Sequence, residues 1–503
     1  MDWTRVPVVA GGGQLTNRNE DPLEAPDPFE LMTEASRLAA RDAAPPAGHP
    51  SQDVLRDLTH VFMVHSLSLR HGDPAPEIAR RIGAQNAEAR CSGMGGSIPQ
   101  WLVNRAAELV LAGARPRVLI VGVEALATRR RARQRGIRLE WPSSEGWPET
   151  WPPLEADMGF HAVERAHALD QATSAYALIE SAVAHAAQEG PDAHARSMGA
   201  LMARFNEVAA RNPVSWFPTR RDAAEIMTVT PDNRMICHPY PKYVNAVMAV
   251  DMAAAVLITD AATARDWGLA SDEVAYVRGF ADAHDVWYLS ERPAIHTSPA
   301  LVECGRTAAA TARIELSDVD AFDLYSCFPS SVEVARDSFG IGADDDRPLT
   351  LTGGLPYHGG PGNNYVTHSV ANAAAWLRAG HGDHVLVHGN GYYLTKHAIG
   401  IYSRQPPAGP VEAPEKLQQR VDELAAPLEV AHAARGPATV AGYTATYDRE
   451  GRPEDAVVLV DTEHGRALAR GDDELTAALL GGDGVGTKVV LTPDGDVNRA
   501  TAP

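Results

Sequence analysis

Short apolar runs alternate with amphipathic stretches along the first half of the chain. The apolar runs predict buried strands at 6–10, 58–64, 89–93, 118–122 and 247–259. Helical periodicity predicts helices at 27–43, 97–112, 167–187 and 193–210. Asp27 and Pro28 suit the start of one of these helices, and Gly113 ends another. Strands that alternate with helices favour an α/β fold with a largely parallel sheet.

A similar order of elements returns in the second half. The pattern predicts helices at 298–312, 330–339 and 367–379, and strands at 321–324 and 385–388. Two halves with the same order indicate an internal duplication. A proline-rich linker is predicted at 405–414, and short strands separated by turns follow at 439–447, 456–461 and 487–491. The chain is therefore predicted to end in a small, mainly β module.

Composition and charge narrow the class of protein. The 503 residues are 45% hydrophobic and 22% charged, ordinary values for a globular protein with a large core. A net charge of −20 argues against nucleic acid or an anionic membrane as a partner. The four cysteines show no C-x-x-C spacing, which predicts neither a zinc site nor a disulfide framework. The sequence pattern contains no signal peptide and no long apolar span, so we expect a cytoplasmic protein. Since the cysteines show no metal-ligand spacing, we also expect no bound metal.

A glycine-rich loop at 351–365, LTGGLPYHGGPGNNY, is the leading candidate for a functional site. Its glycines allow a tight backbone that approaches a ligand closely, and its prolines stiffen that backbone. Tyr357, His358, Asn363 and Asn364 can form hydrogen bonds, and an imidazole can transfer protons near neutral pH. An ordinary turn between two elements is the alternative interpretation.

Several motifs, taken in order, resemble the thiolase superfamily and specifically its sterol-carrier-protein-type branch. They are VPVVAGGGQLTNR at the first strand, Gly113 followed by VLIVGVEAL, the segment DLYSCF at 323–328, the loop GGLPYHGGPGNN, and Asn390–Gly391. The resemblance covers residues 5–405 and is greatest to the type 1 thiolase-like proteins, which lack the thiolase catalytic residues and carry an added C-terminal β-barrel. It implies a five-layered αβαβα fold of two similar halves at 1–270 and 271–408, the first with an inserted loop region at 141–153, and a barrel at 415–503.

The positions that would carry thiolase chemistry differ in this chain. The slot of the nucleophilic cysteine falls at Gly96–Ser97, which has no thiol. The histidine of the G-H-P motif falls at Gly360, the second cysteine at 388–390, and the oxyanion-hole residue at Tyr325. The resemblance with these departures predicts that the chain does not catalyse ordinary thiolysis.

The resemblance also supplies the candidate site residues. The candidates for proton transfer and for the walls of one shared pocket are His358, Tyr357, Tyr325, His388 and Asn390. The candidates for substrate binding are Gly96, Ser97, Gly354, Gly360 and Asn363. We expect open space above Gly96, where the backbone N–H groups and the dipole of the predicted helix could hold a thioester carbonyl.

Other residues have weaker claims. Cys91 resembles a nucleophile by its small neighbours but lies upstream of the slot, so we interpret it as a buried thiol, with a catalytic role as the alternative. Tyr240 and Tyr243 are further candidates from the PYPKY loop. Lys396–His397 is interpreted as a surface pair, with a substrate clamp as the alternative.

Three hypotheses for function remain open at this point. The first is an enzyme that acts on an acyl-CoA thioester without a covalent acyl-enzyme, for instance in an aldol-type C–C reaction. The second is a non-catalytic acyl-CoA- or lipid-binding protein, and the third is a scaffold whose barrel recruits a protein partner. We expect no permanently bound cofactor, with a coenzyme A thioester as substrate or ligand.

Overall fold

The structure is a computed structural model that describes residues 1–44, 50–155, 157 and 159–503. The first half contributes five strands, which are β1 (Pro7–Thr16), β2 (His60–Met63), β3 (Glu88–Cys91), β4 (Arg117–Ala125) and, after a long insertion, β7 (Asp251–Asp260). Its helices before the insertion are α1 (Pro28–Asp42), α2 (Ser51–Arg56), α3 (Pro74–Ile82) and α4 (Ile98–Leu111), and α10 (Ala261–Asp266) follows β7. Asp27 caps α1 through a capping box with Glu30, as its position before Pro28 predicts.

The second half repeats this order. Its strands are β8 (Ala275–His284), β9 (Ala321–Asp323), β10 (His384–Gly391) and β11 (Lys396–Ser403). Its helices are α11 (Pro299–Ala312), α12 (Pro329–Ser338) and α13 (Tyr365–Arg378). Each therefore has a counterpart in the first half at the same place in the order.

The sheet topology confirms the duplication. All nine strands lie in the order β3-β2-β4-β7-β1-β8-β11-β10-β9. The run β2-β4-β7-β1 mirrors β9-β10-β11-β8, and the two half-sheets meet at β1 and β8 through only two residue pairs, Val8 with Tyr276 and Val9 with Ala275. Where β3 would have a counterpart, the N–H groups of Phe322 and Leu324 donate to the carbonyls of Pro348 and Leu349.

The helices form the remaining layers, and small residues set their distance from the sheets. Gly13 of β1 faces α1, where an added Cβ would lie 2.7 Å from Leu38 Cβ. Gly12 faces the opposite side, where an added Cβ would lie 3.0 Å from Ala371 of α13. Both α4 and α13 contact strands of both halves. They form the middle of five layers, with α1 and α3 outside one half-sheet and α11 and α12 outside the other.

The insertion between β4 and β7 joins the three parts of the molecule. It contains α5 (Leu126–Gln134), α6 (Ala162–Ala166), α7 (Ala172–Ala186), α8 (Pro191–Arg211), α9 (Ala223–Met227), β5 (Met235–Cys237) and β6 (Tyr240–Pro241). Helix α7 packs against α12 of the second half and against the C-terminal module. Residues 150–151 bind the exposed edge of the sheet, since Trp151 N–H donates to the carbonyl of Cys91 in β3.

The C-terminal module is a β-barrel. After α14 (Leu417–Leu424) it contains β12 (Val430–Ala431), β13 (Gly436–Thr444), β14 (Val457–Thr462), β15 (Gly465–Gly471), α15 (Asp473–Leu480), β16 (Lys488–Asp494) and β17 (Val497–Thr501). Strands β15-β14-β13-β16-β17 pair in that order, and the pairing of β15 with β17 closes the ring of five. The predicted β-barrel is thus confirmed.

Seven of the described strands were not predicted from the sequence: β5, β6, β8, β11, β12, β15 and β17. Among the described residues, no helix is both long and apolar enough to span a membrane.

Candidate functional site

The start of α4 lies against the end of β10. An added Cβ at Gly389 would lie 2.9 Å from Ser97 Cα, and one at Gly391 would lie 2.8 Å from Ser97 Oγ. Ser97 is the N-cap of α4, and its side chain makes no capping hydrogen bond. The first N–H groups of a helix lack partners within the helix and form the positive end of its dipole. Two glycine-containing motifs almost three hundred residues apart therefore meet at the positive end of the α4 dipole, where the Ile98 N–H donates to the carbonyl of Gly95 at 3.1 Å.

Tyr325 covers Gly96 at this place. An added Cβ at Gly96 would overlap the phenol group of Tyr325 and lie 2.6 Å from the carbonyl oxygen of Asn390. Tyr325 is buried, and its ring packs edge-on against Tyr365 with the centroids 5.7 Å apart. Burial raises the pKa of Tyr325, so the hydroxyl stays protonated and can donate a hydrogen bond. The expectation of open space above Gly96 is wrong, because the tyrosine hydroxyl occupies that space.

The glycine-rich loop is held in place by Asp323 at the end of β9. The Asp323 carboxylate accepts hydrogen bonds from the N–H groups of Leu351 and Thr352 at 2.7 and 2.8 Å. Gly354 has a φ of +84°, a conformation that favours glycine, and its N–H donates to the hydroxyl of Tyr365 at 3.0 Å. At Gly360 an added Cβ would lie 3.1 Å from the Leu355 side chain. Both predicted substrate-binding glycines of the loop thus serve its internal packing.

The loop directs its polar residues to different sides. Asn363 faces the start of α4, where its Oδ1 accepts the Gly95 N–H at 2.8 Å and its Nδ2 donates to the carbonyl of His65 at 2.9 Å. His358 lies instead against the insertion, with its Nδ1 3.2 Å from Ser215 Oγ. The hydroxyl of Tyr357 is buried and has no partner within the described part of the chain. Of the loop residues proposed for the site, Asn363 reaches the start of α4.

A layer of aromatic side chains separates His358 from Gly96. The Tyr365 ring lies 5.9 Å from the His358 ring and 5.7 Å from the Tyr325 ring. Burial, together with nearby His368, lowers the pKa of His358 well below its usual value, so the imidazole is neutral at pH 7. Among the candidates for proton transfer, Tyr325 therefore lies against Gly96, whereas His358 does not.

His388 and Asn390 point away from the start of α4. Successive side chains of a strand face opposite sides, and Gly389 between them is the residue that faces Ser97. His388 Nε2 lies 3.3 Å from His397 Nδ1, and Asn390 Nδ2 donates to the hydroxyl of Tyr176 at 2.7 Å. The His388 and Asn390 side chains therefore lie on the side of β10 opposite to Ser97 and do not join Tyr325 at the start of α4.

Lys396 lies at this site, whereas the sequence led us to predict that it lies on the surface. Its side chain is 15% exposed, and Nζ donates to the Met94 carbonyl at 2.8 Å and to Glu155 Oε1 at 2.6 Å. An added Cβ at Gly95 would lie 3.3 Å from Lys396 Cε. The interpretation of Lys396–His397 as a surface pair is wrong. No spacing in the sequence links Glu155 to Lys396, because the ion pair depends on how the insertion folds over β11.

The thiols of this chain are poorly suited to act as nucleophiles. All four cysteines are free and buried. Burial raises the pKa of Cys91 and of Cys327 to about 12, and that of Cys237 to about 11. A thiol with such a pKa carries almost no thiolate at pH 7.

Glu124 supports the same region from β4. Its side chain is fully buried and accepts hydrogen bonds from the N–H groups of Leu67 and Ser68 at 2.8 and 2.9 Å. An added Cβ at Gly362 would lie 3.0 Å from its carboxyl carbon, so the loop closes over this group. Burial raises the pKa of Glu124 to about 7, despite the hydrogen bonds that favour the carboxylate.

Comparison with solved structures places this fold among the thiolase-like proteins. A monomeric SCP2-thiolase like protein type 1 from Mycobacterium smegmatis is 33% identical, with a TM-score of 0.84 over 99% of this chain and 100% of that chain. The chain therefore belongs to the SCP2-thiolase-like proteins of type 1, which confirms the resemblance noted from its motifs. The family described as "Thiolase-like protein type 1 additional C-terminal domain" matches residues 416–496, within the barrel module.

Two further structures share the fold at low identity. The Ltp2-ChsH2(DUF35) aldolase is 18% identical, with a TM-score of 0.56 over 80% of this chain and 98% of that chain. The acetyl-CoA acetyltransferase from Syntrophomonas wolfei is 10% identical, with a TM-score of 0.52 over 80% of this chain and 99% of that chain. No curated protein matches the chain.

Proposed function

We propose that this chain binds an acyl-CoA-type thioester at the start of α4 and handles it without a covalent acyl-enzyme. The observation that carries the proposal is the replacement of a thiol by the Gly96–Tyr325 contact at the N-terminus of a helix of 14 residues. A helix N-terminus stabilises an oxyanion or a polarised carbonyl irrespective of any thiol. The protonated hydroxyl of Tyr325 adds a donor at the same place.

Access to this place runs past Gly95. Gly96 is covered by Tyr325, whereas the atoms nearest to an added Cβ at Gly95 belong to the end of the flexible Lys396 side chain. A thioester that enters here would displace the Lys396 side chain and meet its ammonium group. Lys396 would then hold the carbonyl or a neighbouring anionic group of the ligand, a role consistent with its three N–H donors.

A related fold makes a C–C reaction the leading chemistry. One structure with this fold is named an aldolase, and aldol-type cleavage needs proton transfer and enolate stabilisation rather than a thiolate. Tyr325 and the start of α4 would supply a donor and a positive dipole to a developing enolate. Binding without turnover is the second candidate, favoured because the oxygen and the nitrogen of the Asn363 amide are both already bonded to the backbone.

Binding and thiolysis assays test the proposal. We expect acetyl-CoA and acetoacetyl-CoA to raise the unfolding temperature, since a ligand that binds only the folded state stabilises it. Lys396→Met should weaken binding at least about tenfold, the loss of one charge-assisted hydrogen bond. Lys488→Met is the matched control, because Lys488 lies on the barrel and donates to Thr439. Equal binding by Lys396→Met would refute the entry route, and efficient thiolysis abolished by Cys91→Ala would refute the proposed chemistry.

A further inference from the structure

A second cluster of ionisable side chains lies away from the start of α4. Glu180 of α7, His194 of α8 and Glu333 of α12 are all buried. One potential ligand atom from each lies within 4.8 Å of the other two. Two of the three come from the insertion and the third from the second half, so the cluster arises only in the folded chain.

Neighbouring groups orient two of these side chains. His194 Nδ1 lies 2.9 Å from Glu189 Oε2, which leaves Nε2 directed at Glu180 Oε1 at 2.6 Å. Tyr240 donates its hydroxyl to the other oxygen of Glu180 at 2.5 Å. In metal sites a histidine ligand commonly holds a carboxylate on its second nitrogen, and carboxylate ligands are themselves hydrogen-bonded. The surroundings of Glu180 and His194 follow this arrangement.

Glu333 provides a second and independent observation. It is 4% exposed, and its Oε2 has no hydrogen-bond partner within the described residues. Burying a carboxyl oxygen without a hydrogen-bond partner lowers the stability of the folded chain, so native proteins usually supply a partner. With both carboxyl groups ionised and the imidazole neutral, as metal binding requires, the three ligands carry a charge of −2, which a divalent cation would neutralise.

A cavity of about 230 Å³ borders the cluster. Glu180 and His194 line one side of it, and the other walls include Met198, His238 and, from the barrel, Tyr443. The cavity gives an ion a path to the cluster and leaves room for a water molecule on it. Catalytic zinc sites likewise combine three protein ligands with one open position.

We propose that Glu180, His194 and Glu333 bind one divalent transition-metal ion, with Zn²⁺ as the first choice. Imidazole nitrogen with carboxylate oxygen suits Zn²⁺ and its neighbours better than Mg²⁺ or Ca²⁺, which prefer oxygen alone. Ligand atoms about 2.0–2.1 Å from a tetrahedral metal lie about 3.4 Å apart. The ion would therefore take the place of the hydrogen bond between His194 and Glu180, and the two side chains would move slightly apart to bind it. It would link α7 and α8 to α12, and thus the insertion to the second half.

No metal was predicted from the sequence, because its cysteines lack the spacing of metal ligands. Glu180 and His194 lie fourteen positions apart on different helices, and Glu333 lies in the other half of the duplication. No local motif connects them.

Titration of the metal-stripped full-length chain with Zn²⁺ alone tests the proposal. We expect one ion per chain, a rise in unfolding temperature, and release of protons detectable as a dependence of the binding heat on the buffer. Glu333→Gln keeps the size of the side chain and removes a ligand charge, so it should weaken binding at least about a hundredfold, beyond the usual loss for a supporting residue. Co²⁺ in place of Zn²⁺ should give visible absorption that Glu333→Gln loses.

Asp192→Asn is the matched control, since Asp192 lines the same cavity two positions from His194 but is not one of the three ligands. It should bind Zn²⁺ within about twofold of the unaltered chain, because it leaves the ligands in place. The proposal is overturned if the unaltered chain binds no Zn²⁺, or if Glu333→Gln binds it as tightly. In either case Glu333 is not a metal ligand, and its buried carboxyl group is held by a proton alone.

Discussion

The start of α4 and the cluster of Glu180, His194 and Glu333 are both buried and polar, but their groups are satisfied in opposite ways. At the start of α4, the oxygen and the nitrogen of the Asn363 amide each form a hydrogen bond, and Tyr325 fills the space over Gly96. In the cluster, a carboxyl oxygen of Glu333 has no partner and a cavity lies alongside. The duplicated halves thus meet at glycines that permit close packing. The insertion has gathered ionisable groups that the thiolase resemblance does not explain.

We expect the largest difference between the two places when a substitution enlarges a side chain at each of them and the loss of stability is compared. Gly96→Val would drive a side chain into Tyr325 and the backbone carbonyl of Asn390, so we expect a loss of at least about 3 kcal/mol in the free energy of unfolding. Ala195→Leu adds volume to the cavity beside the cluster and should cost less than about 1 kcal/mol. Urea unfolding of both variants checks this. Equal losses would show that the two places are packed alike.

The pH dependence of stability probes the region of the α4 site through Glu124. Because its pKa rises from 4.5 to about 7 on folding, the folded chain keeps a proton that the unfolded chain releases. The stabilisation is therefore complete below pH 4.5 and is lost as the pH rises through about 7. Relative to Glu124→Gln, which does not titrate, the unaltered chain should lose about 3 kcal/mol across this window. A difference that stays constant from pH 4.5 to 8 would contradict the assigned environment of Glu124.

The unpartnered hydroxyl of Tyr357 predicts a smaller effect of opposite sign. Removing a buried polar group that has no partner is neutral or favourable, so Tyr357→Phe should raise the free energy of unfolding by up to about 1 kcal/mol. Tyr402→Phe is the control, since the Tyr402 hydroxyl donates to Gln100 at 2.8 Å and its loss should be destabilising. Thermal unfolding of the two variants distinguishes them, and a destabilised Tyr357→Phe would mean that this hydroxyl has a partner.

The sequence predicted the fold better than the site. Apolar runs such as VLIVG in β4 and caps such as Asp27 are local signals, and the structure has the elements they predict. Strands β8 and β11 were not predicted, because Arg278 and Gly279 interrupt the apolar residues of β8 and Gly400 interrupts those of β11.

The site could not be predicted as well, because its composition depends on the side of a strand or loop to which each side chain points. Loop residues four to six positions apart, such as His358 and Asn363, point to different sides, and the family motif specifies their order but not their direction. Lys396 pairs with Glu155 across more than two hundred residues. Such contacts arise from tertiary packing, which the periodicity of one segment does not contain.

The most direct test of the account is mass spectrometry of the full-length chain mixed with acetyl-CoA, first under native conditions and then after denaturation. The account predicts a complex with one acetyl-CoA in the native spectrum and an unmodified chain after denaturation, because no thiol lies at Gly96–Ser97. An acetylated chain after denaturation, with the added mass lost in Cys91→Ala, would contradict it. So would a native spectrum in which acetyl-CoA does not bind.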